Sequence, residues 1–139
     1  MTPYLVERLV VLRRHLDHLH ELRARAITRE DLERDLSLHN DLLFSLFTVC
    51  QLVIDIAGDL SARRGDRFED YTQAIRNLSR DGAFSPELVR ALQPLAGFRN
   101  VLIHVYVTLD LDRALEALDR LQPIAEFLEI VRRREATQS

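Results

Sequence analysis

Arg99, Asn100, His104 and Tyr106 stand in the stretch GFRNVLIHVYV, residues 97 to 107, among side chains that are otherwise apolar. Arg99 offers a permanent cation with a donor fork suited to phosphate. His104 can give or take a proton near neutral pH. Asn100 lies one helical turn before His104, close enough to share a hydrogen bond that fixes the imidazole tautomer. Together these groups could cut RNA without a metal. His104 would assist attack of the 2′-hydroxyl on the neighbouring phosphate or protonate the leaving oxygen, and Arg99 would stabilise charge developing on the phosphoryl oxygens. The same residues could instead form a buried polar network that fixes helix packing.

What must position them is first a matter of secondary structure. The β-branched residues of VLIHVYVTL favour a strand by propensity. No good partner strand exists elsewhere in the chain, and an isolated strand leaves its backbone groups unpaired. At roughly 100° per residue a helix sorts the side chains cleanly. With Arg99 at 0°, Phe98, Val101, Leu102, Val105 and Leu109 fall between roughly 200° and 300°, an apolar arc that predicts the core side. Tyr106, Asn100 and His104 fall on the other arc, at roughly −20°, 100° and 140°. Ala96, Ile103 and Val107 share that second arc, where a surface helix would carry charge. Both arcs are therefore expected to be covered, the second most simply by another copy of the chain.

The rest of the sequence supplies helices. Leu5, Leu9, Leu12, Leu16 and Leu19 step by four and three over Tyr4 to Ala26, one stripe of an amphipathic helix. Thr28 with Asp31 reads as the next N-cap. From there Leu32, Leu36, His39, Leu43, Leu46, Cys50, Val53 and Ala57 predict one long helix ending near Gly58. A shorter helix is expected with Tyr71, Ala74, Ile75 and Leu78 inside. Ser85-Pro86-Glu87 marks another start. A last helix begins near Asp110 or Asp112, kinked by Pro123, with a frayed tail from about 132. The expected fold is one all-α domain over residues 1–139, a bundle of about five helices.

Composition narrows the function. The 139 residues fit one domain, and all 19 basic residues are arginine. The net charge of −3 argues against non-specific coating of nucleic acid. Arg63, Arg64 and Arg67, and Arg132, Arg133 and Arg134, are local basic groups that read as solvated. No run approaches the roughly 18 apolar residues of a membrane span, which points to the cytoplasm. Cys50 alone can form no intrachain disulfide, and its apolar neighbours predict a core thiol. His15, His18 and His20 lack an evident third ligand for a metal, and no paired Glu-x-x-His motif of bundle di-metal sites occurs. His39 reads as a core or interface histidine. Asp55, between Ile54 and Ile56, is expected to face away from the core stripe.

RNVLIHVY is R-x4-H-x-Y, and with LQPLAGFRNVLIHVY, the earlier CQLVIDIAGDL and the all-α layout the chain resembles the HepT-like toxins of the HEPN superfamily over roughly residues 5 to 130. The resemblance implies a HEPN-like homodimer whose motif helices face across a cleft. It implies a metal-independent ribonuclease toxin with Arg99 and His104 catalytic and Asn100 and Tyr106 supporting. It further implies an MNT-type nucleotidyltransferase antitoxin able to transfer AMP to Tyr106, a bulky anionic group that would block the cleft. ATP and Mg²⁺ would belong to that partner, leaving this chain without a cofactor. Val105 stands where such families often carry a polar residue. The alternative reading is a non-catalytic helical module that binds nucleotide or complements a nucleotidyltransferase.

Overall fold

The computed structural model describes residues 2–104 and 110–138. Among them there are eight α-helices, one 3-10 turn and no strand. Helix α1 spans Pro3–Ala24, with Thr2 capping Leu5 and proline in the first turn. Its leucine stripe is the expected one, extended by Leu22, and all six leucines are buried. Each is worth about 1.5–3 kcal/mol when fully removed from water, so α1 is a core element. At its far end Ala26 takes φ 53°.

The expected long helix is two helices. Thr28 and Asp31 cap α2, Arg29–Arg34, reciprocally, as the sequence predicts. Asp35 then leaves helical geometry and its carboxylate accepts from the Leu38 N–H at 3.1 Å, starting α3, Leu36–Arg63. The new phase buries Leu38, Leu42, Leu46, Val49, Val53 and Ile56, whereas Leu36 is 71% exposed and His39 only half-buried. His39 Nδ1 lies 3.3 Å from Asn40 Oδ1. Helix α3 also passes Gly58 without ending there; a Cβ at that position would crowd the Phe68 ring at 3.1 Å, so the glycine makes room for the ring. The helix stops at Gly65, φ +77°, with Gly65 N–H donating to Ala62 C=O and Asp66 N–H to Ser61 C=O. That pair of bonds around a left-handed glycine is a Schellman motif.

Asp70 caps α4, Tyr71–Arg76, which tightens into a 3-10 turn over Asn77–Arg80. Ser85 caps α5, Pro86–Leu92, as expected. Helix α6, Pro94–His104, carries the first half of the R-x4-H-x-Y stretch. Asp110 caps α7, Leu111–Leu118, and α8 runs from Gln122 to Gln138. Pro123 does not kink one helix; it sits in the first turn of a new one, where its missing N–H is harmless. Breaks at Asp35 and at Asp119 to Leu121 thus raise the helix number above the expected five.

Helix α3 packs against α1, α2, α4, α6 and α7, and α8 closes on α1 and α5. One continuous apolar cluster runs through all these elements, with Phe127 fully buried against Phe84. By length and composition α3 could cross a membrane, yet half of its most apolar window is buried inside this fold. The end of α8 is not frayed at 132–135. Glu135 is buried and accepts from Arg63 at 2.8 Å, and Arg63 also reaches Asp59 and Thr2. Arg64 pairs with Asp66 and Asp81, Arg134 with Asp81, and Arg132 and Arg133 with Glu129. These arginines serve the fold's own carboxylates, which the sequence reading did not anticipate.

Candidate active site

Arg99 sits on the face of α6 that packs on α3 and α4. Ala96 and Leu102, roughly 60° to either side of it on the helix, are both buried, and Ile103 is half-buried. Gly97 and Asn100 are exposed, and Val101 is half-buried. The core side of α6 therefore includes Leu102 and Phe98 of the expected apolar arc and extends past it, through Arg99, to Ala96. Ala96 needs no second copy of the chain to cover it, because the chain's own helices do so.

The Arg99 side chain is closely defined. Its Nε donates to Gln51 Oε1 at 2.8 Å, and one Nη1 hydrogen goes to Asn100 Oδ1 at 2.9 Å. The guanidinium lies 4.9 Å from the Tyr71 ring centroid and 5.9 Å from that of Phe47, distances at which a cation is attracted to the ring quadrupole. Gln51 in turn donates from Nε2 to Asp55 Oδ1 at 2.8 Å. A guanidinium has five N–H donors. Two are used, and among the described residues the Nη2 amino group is left for a ligand.

Of the expected site residues the structure brings Arg99 and Asn100 together. His104 is the last residue of α6, so it follows Asn100 by one turn of continuous backbone. Tyr106, with Val105 and Val107, lies outside the described residues. Asp55 is half-buried and enters the site only through Gln51. Sequence reasoning missed Gln51, Tyr71 and Phe47. The signal for Gln51 was present: it is an amide one turn from an acid, inside the apolar run TVCQLVIDI.

The other candidates behave as structural groups. His15 shares a face with His18, but instead of pointing to solvent they bridge α1 to α3: His15 Nδ1 lies 3.1 Å from Ser45 Oγ, and His18 Nε2 lies 2.8 Å from Asp41. Burial, then the nearby Arg14 and His18 charges, lower the His15 pKa, while Asp41 opposes the shift. Among the described residues no group of three His, Cys, Asp or Glu could hold a metal. Cys50 is the core thiol expected, pushed up to about 12 by burial, and so is no nucleophile at neutral pH. It lines an apolar cleft of about 140 Å³ with Leu46, Leu95, Phe98 and Arg113.

A sequence family described as ribonuclease HepT-like matches residues 12–131. A candidate RNase of Archaeoglobus fulgidus is 32% identical over 87 residues, 60% of this chain and 66% of that protein, just under two thirds of its length. The fold is similar to that of a tri-AMPylated Shewanella oneidensis HEPN toxin solved in complex with an MNT antitoxin. That match has a TM-score of 0.80 at 17% identity, covering 95% of this chain and 98% of the other. A toxin–antitoxin complex with AMP-PNP matches with a TM-score of 0.78 at 16% identity, covering 94% and 99%. These two neighbours speak for the all-α HEPN fold.

Proposed function

Because the chain belongs to the HepT-like ribonuclease family, we propose that it is the toxin of a toxin–antitoxin pair, a metal-independent endoribonuclease of the cytoplasm. The observation that carries this reading is the Arg99 guanidinium, held by Gln51 and Asn100, with no hydrogen-bond partner on Nη2 among the described residues, on the helix that ends at His104. A clamped, permanently charged fork placed one turn and a little from an imidazole-bearing position suits phosphodiester cleavage.

In the proposed reaction the 2′-hydroxyl of the substrate loses its proton and its oxygen bonds to the adjacent phosphorus. The bond to the 5′-oxygen breaks and that oxygen takes a proton. His104 serves as the base or as the acid, and Arg99 neutralises the extra charge on the non-bridging oxygens. The products are a 2′,3′-cyclic phosphate and a 5′-hydroxyl. The proposed working unit is a homodimer with the site at its cleft, where Arg99 of two subunits would offset the net charge of −3.

The proposed partner is an MNT-type nucleotidyltransferase antitoxin, since solved neighbours of the same fold are toxin–antitoxin complexes, one of them AMPylated. Transfer of AMP to Tyr106 would add a bulky anion that blocks the cleft and repels an incoming phosphate. ATP and Mg²⁺ belong to that partner in this reading, and this chain takes no cofactor.

The test is cleavage of RNA by the purified chain in excess EDTA, beside His104→Ala, using protein whose intact mass excludes an added AMP. The parent is expected to cleave and the variant to lose at least about a hundredfold in rate, the usual size of acid–base catalysis. Cleavage by His104→Ala at the parental rate sinks the mechanism. Silence from both would favour the non-catalytic partner of a nucleotidyltransferase.

A further inference from the structure

Arg99 is defined from outside its own helix. The contact that fixes its Nε comes from Gln51, 48 positions earlier in the chain. A glutamine amide can present either its oxygen or its NH₂ in a given direction. Here Nε2 meets Asp55 Oδ1 at 2.8 Å, four residues on along α3. An ionised carboxylate only accepts hydrogen bonds, so Asp55 admits the NH₂ end and turns the carbonyl oxygen toward Arg99. The Tyr71 ring bounds the guanidinium on the α4 side and the Phe47 ring on the α3 side. An arginine free in solvent carries about 2 kcal/mol of rotamer entropy, and these contacts remove much of that freedom before any substrate arrives.

We propose that Gln51, oriented by Asp55, is the positioning residue for Arg99: it sets the plane of the guanidinium so that the open Nη2 edge meets the scissile phosphate of RNA. This rests on the ribonuclease reading above. Gln51 touches neither phosphate nor proton; it acts through Arg99, by preorganising a donor for charge that develops in the transition state. The Asp55 charge is secondary to its oxygen, because the Arg99 N–H claims the Gln51 carbonyl and any acceptor at position 55 can then pair with the NH₂ end.

The experiment compares Gln51→Leu, Asp55→Leu and Asp55→Asn with the parent, in steady-state RNA cleavage and in ¹H–¹⁵N spectra of the arginine Nε–H groups. Arg99→Lys identifies the Arg99 resonance by its disappearance. Gln51→Leu is expected to lower kcat by about ten- to a hundredfold, the cost of a misplaced catalytic group, with KM within about twofold. Asp55→Leu should follow it in the same direction, and Asp55→Asn, which keeps an oxygen for the amide and alters no shape, should restore most of the loss. The Arg99 Nε–H, slow to exchange in the parent, should exchange fast in Gln51→Leu. A general loss of structure would not give unchanged KM with rescue by the asparagine. Parental kcat in Gln51→Leu, or an Arg99 Nε–H that stays protected there, overturns the proposal. If the parent cleaves no RNA, the ribonuclease reading fails separately, and the Nε–H exchange alone decides whether Gln51 positions Arg99.

Discussion

His15 shows what a single side chain contributes to the acid limit of the fold. It is half-buried between α1 and α3, beside Ser45 Oγ and edge-on to the Phe44 ring. Its pKa is lowered from 6.5 by burial first and by Arg14 second. The unfolded chain therefore takes up a proton at this residue at a higher pH than the folded chain does, and stability rises with pH across the gap. The contribution is complete above about pH 6.5 and falls away as pH drops through the lowered value. The melting temperature should decline between pH 7.5 and 5.5, and His15→Gln should flatten that part of the curve in scanning calorimetry. An identical slope in parent and variant would remove His15 from the account. Glu129, held down to about 2 chiefly by Arg132, acts in the separate window below its ordinary carboxylate range. Residue chemistry of this kind is only half legible in sequence. Arg99 and Asn100 were found because they are neighbours in one motif; Gln51 was not, because its partner is 48 positions away.

At the scale of elements, local signals were read well where the cap and the first turn agree. Thr28, Ser85 and Asp110 each begin a helix as their positions suggest. The stepping of apolar residues misled where two helices share a compatible period: Leu36 fits the stripe of α2, yet Asp35 caps a new helix and turns Leu36 outward. On α6 the apolar arc does reach the core through Leu102 and Phe98, but α3 and α4 also pack on the Arg99 side, which periodicity alone did not indicate. The helix ends also predict stability. Ala26 follows α1 with φ 53°, its N–H donating to Arg23 C=O, a place where glycine is usual. A left-handed non-glycine residue costs about 1–2 kcal/mol, partly offset by the greater freedom of glycine in the unfolded chain, about 0.4–1 kcal/mol. Ala26→Gly should therefore raise unfolding stability by about 0.5–1 kcal/mol in urea titration; a decrease would mean that the strain is relieved elsewhere.

For the whole molecule, the all-α class followed from the leucine stripes and the scarcity of glycine and proline, 4 of each, whereas the closure of the fold was not visible. That closure depends on Arg63 at the end of α3, which holds Glu135 near the end of α8 and Thr2 at the start of α1. The Glu135 side chain is only 3% exposed, so removing the arginine leaves a buried carboxylate without its cation. Arg63→Met should cost about 2–3 kcal/mol, while Arg63→Met with Glu135→Leu should recover most of it, since replacing both partners by apolar groups can be nearly neutral. Equal losses in the single and double variants, by urea denaturation, would show that the pair itself contributes little. The same clasp has a topological consequence. One guanidinium spans residues 2 and 135, so the chain nearly closes on itself as a ring. A short peptide leading from the end of α8 back to Thr2, with new ends opened at exposed Gly82, gives a circularly permuted chain that keeps every helix intact.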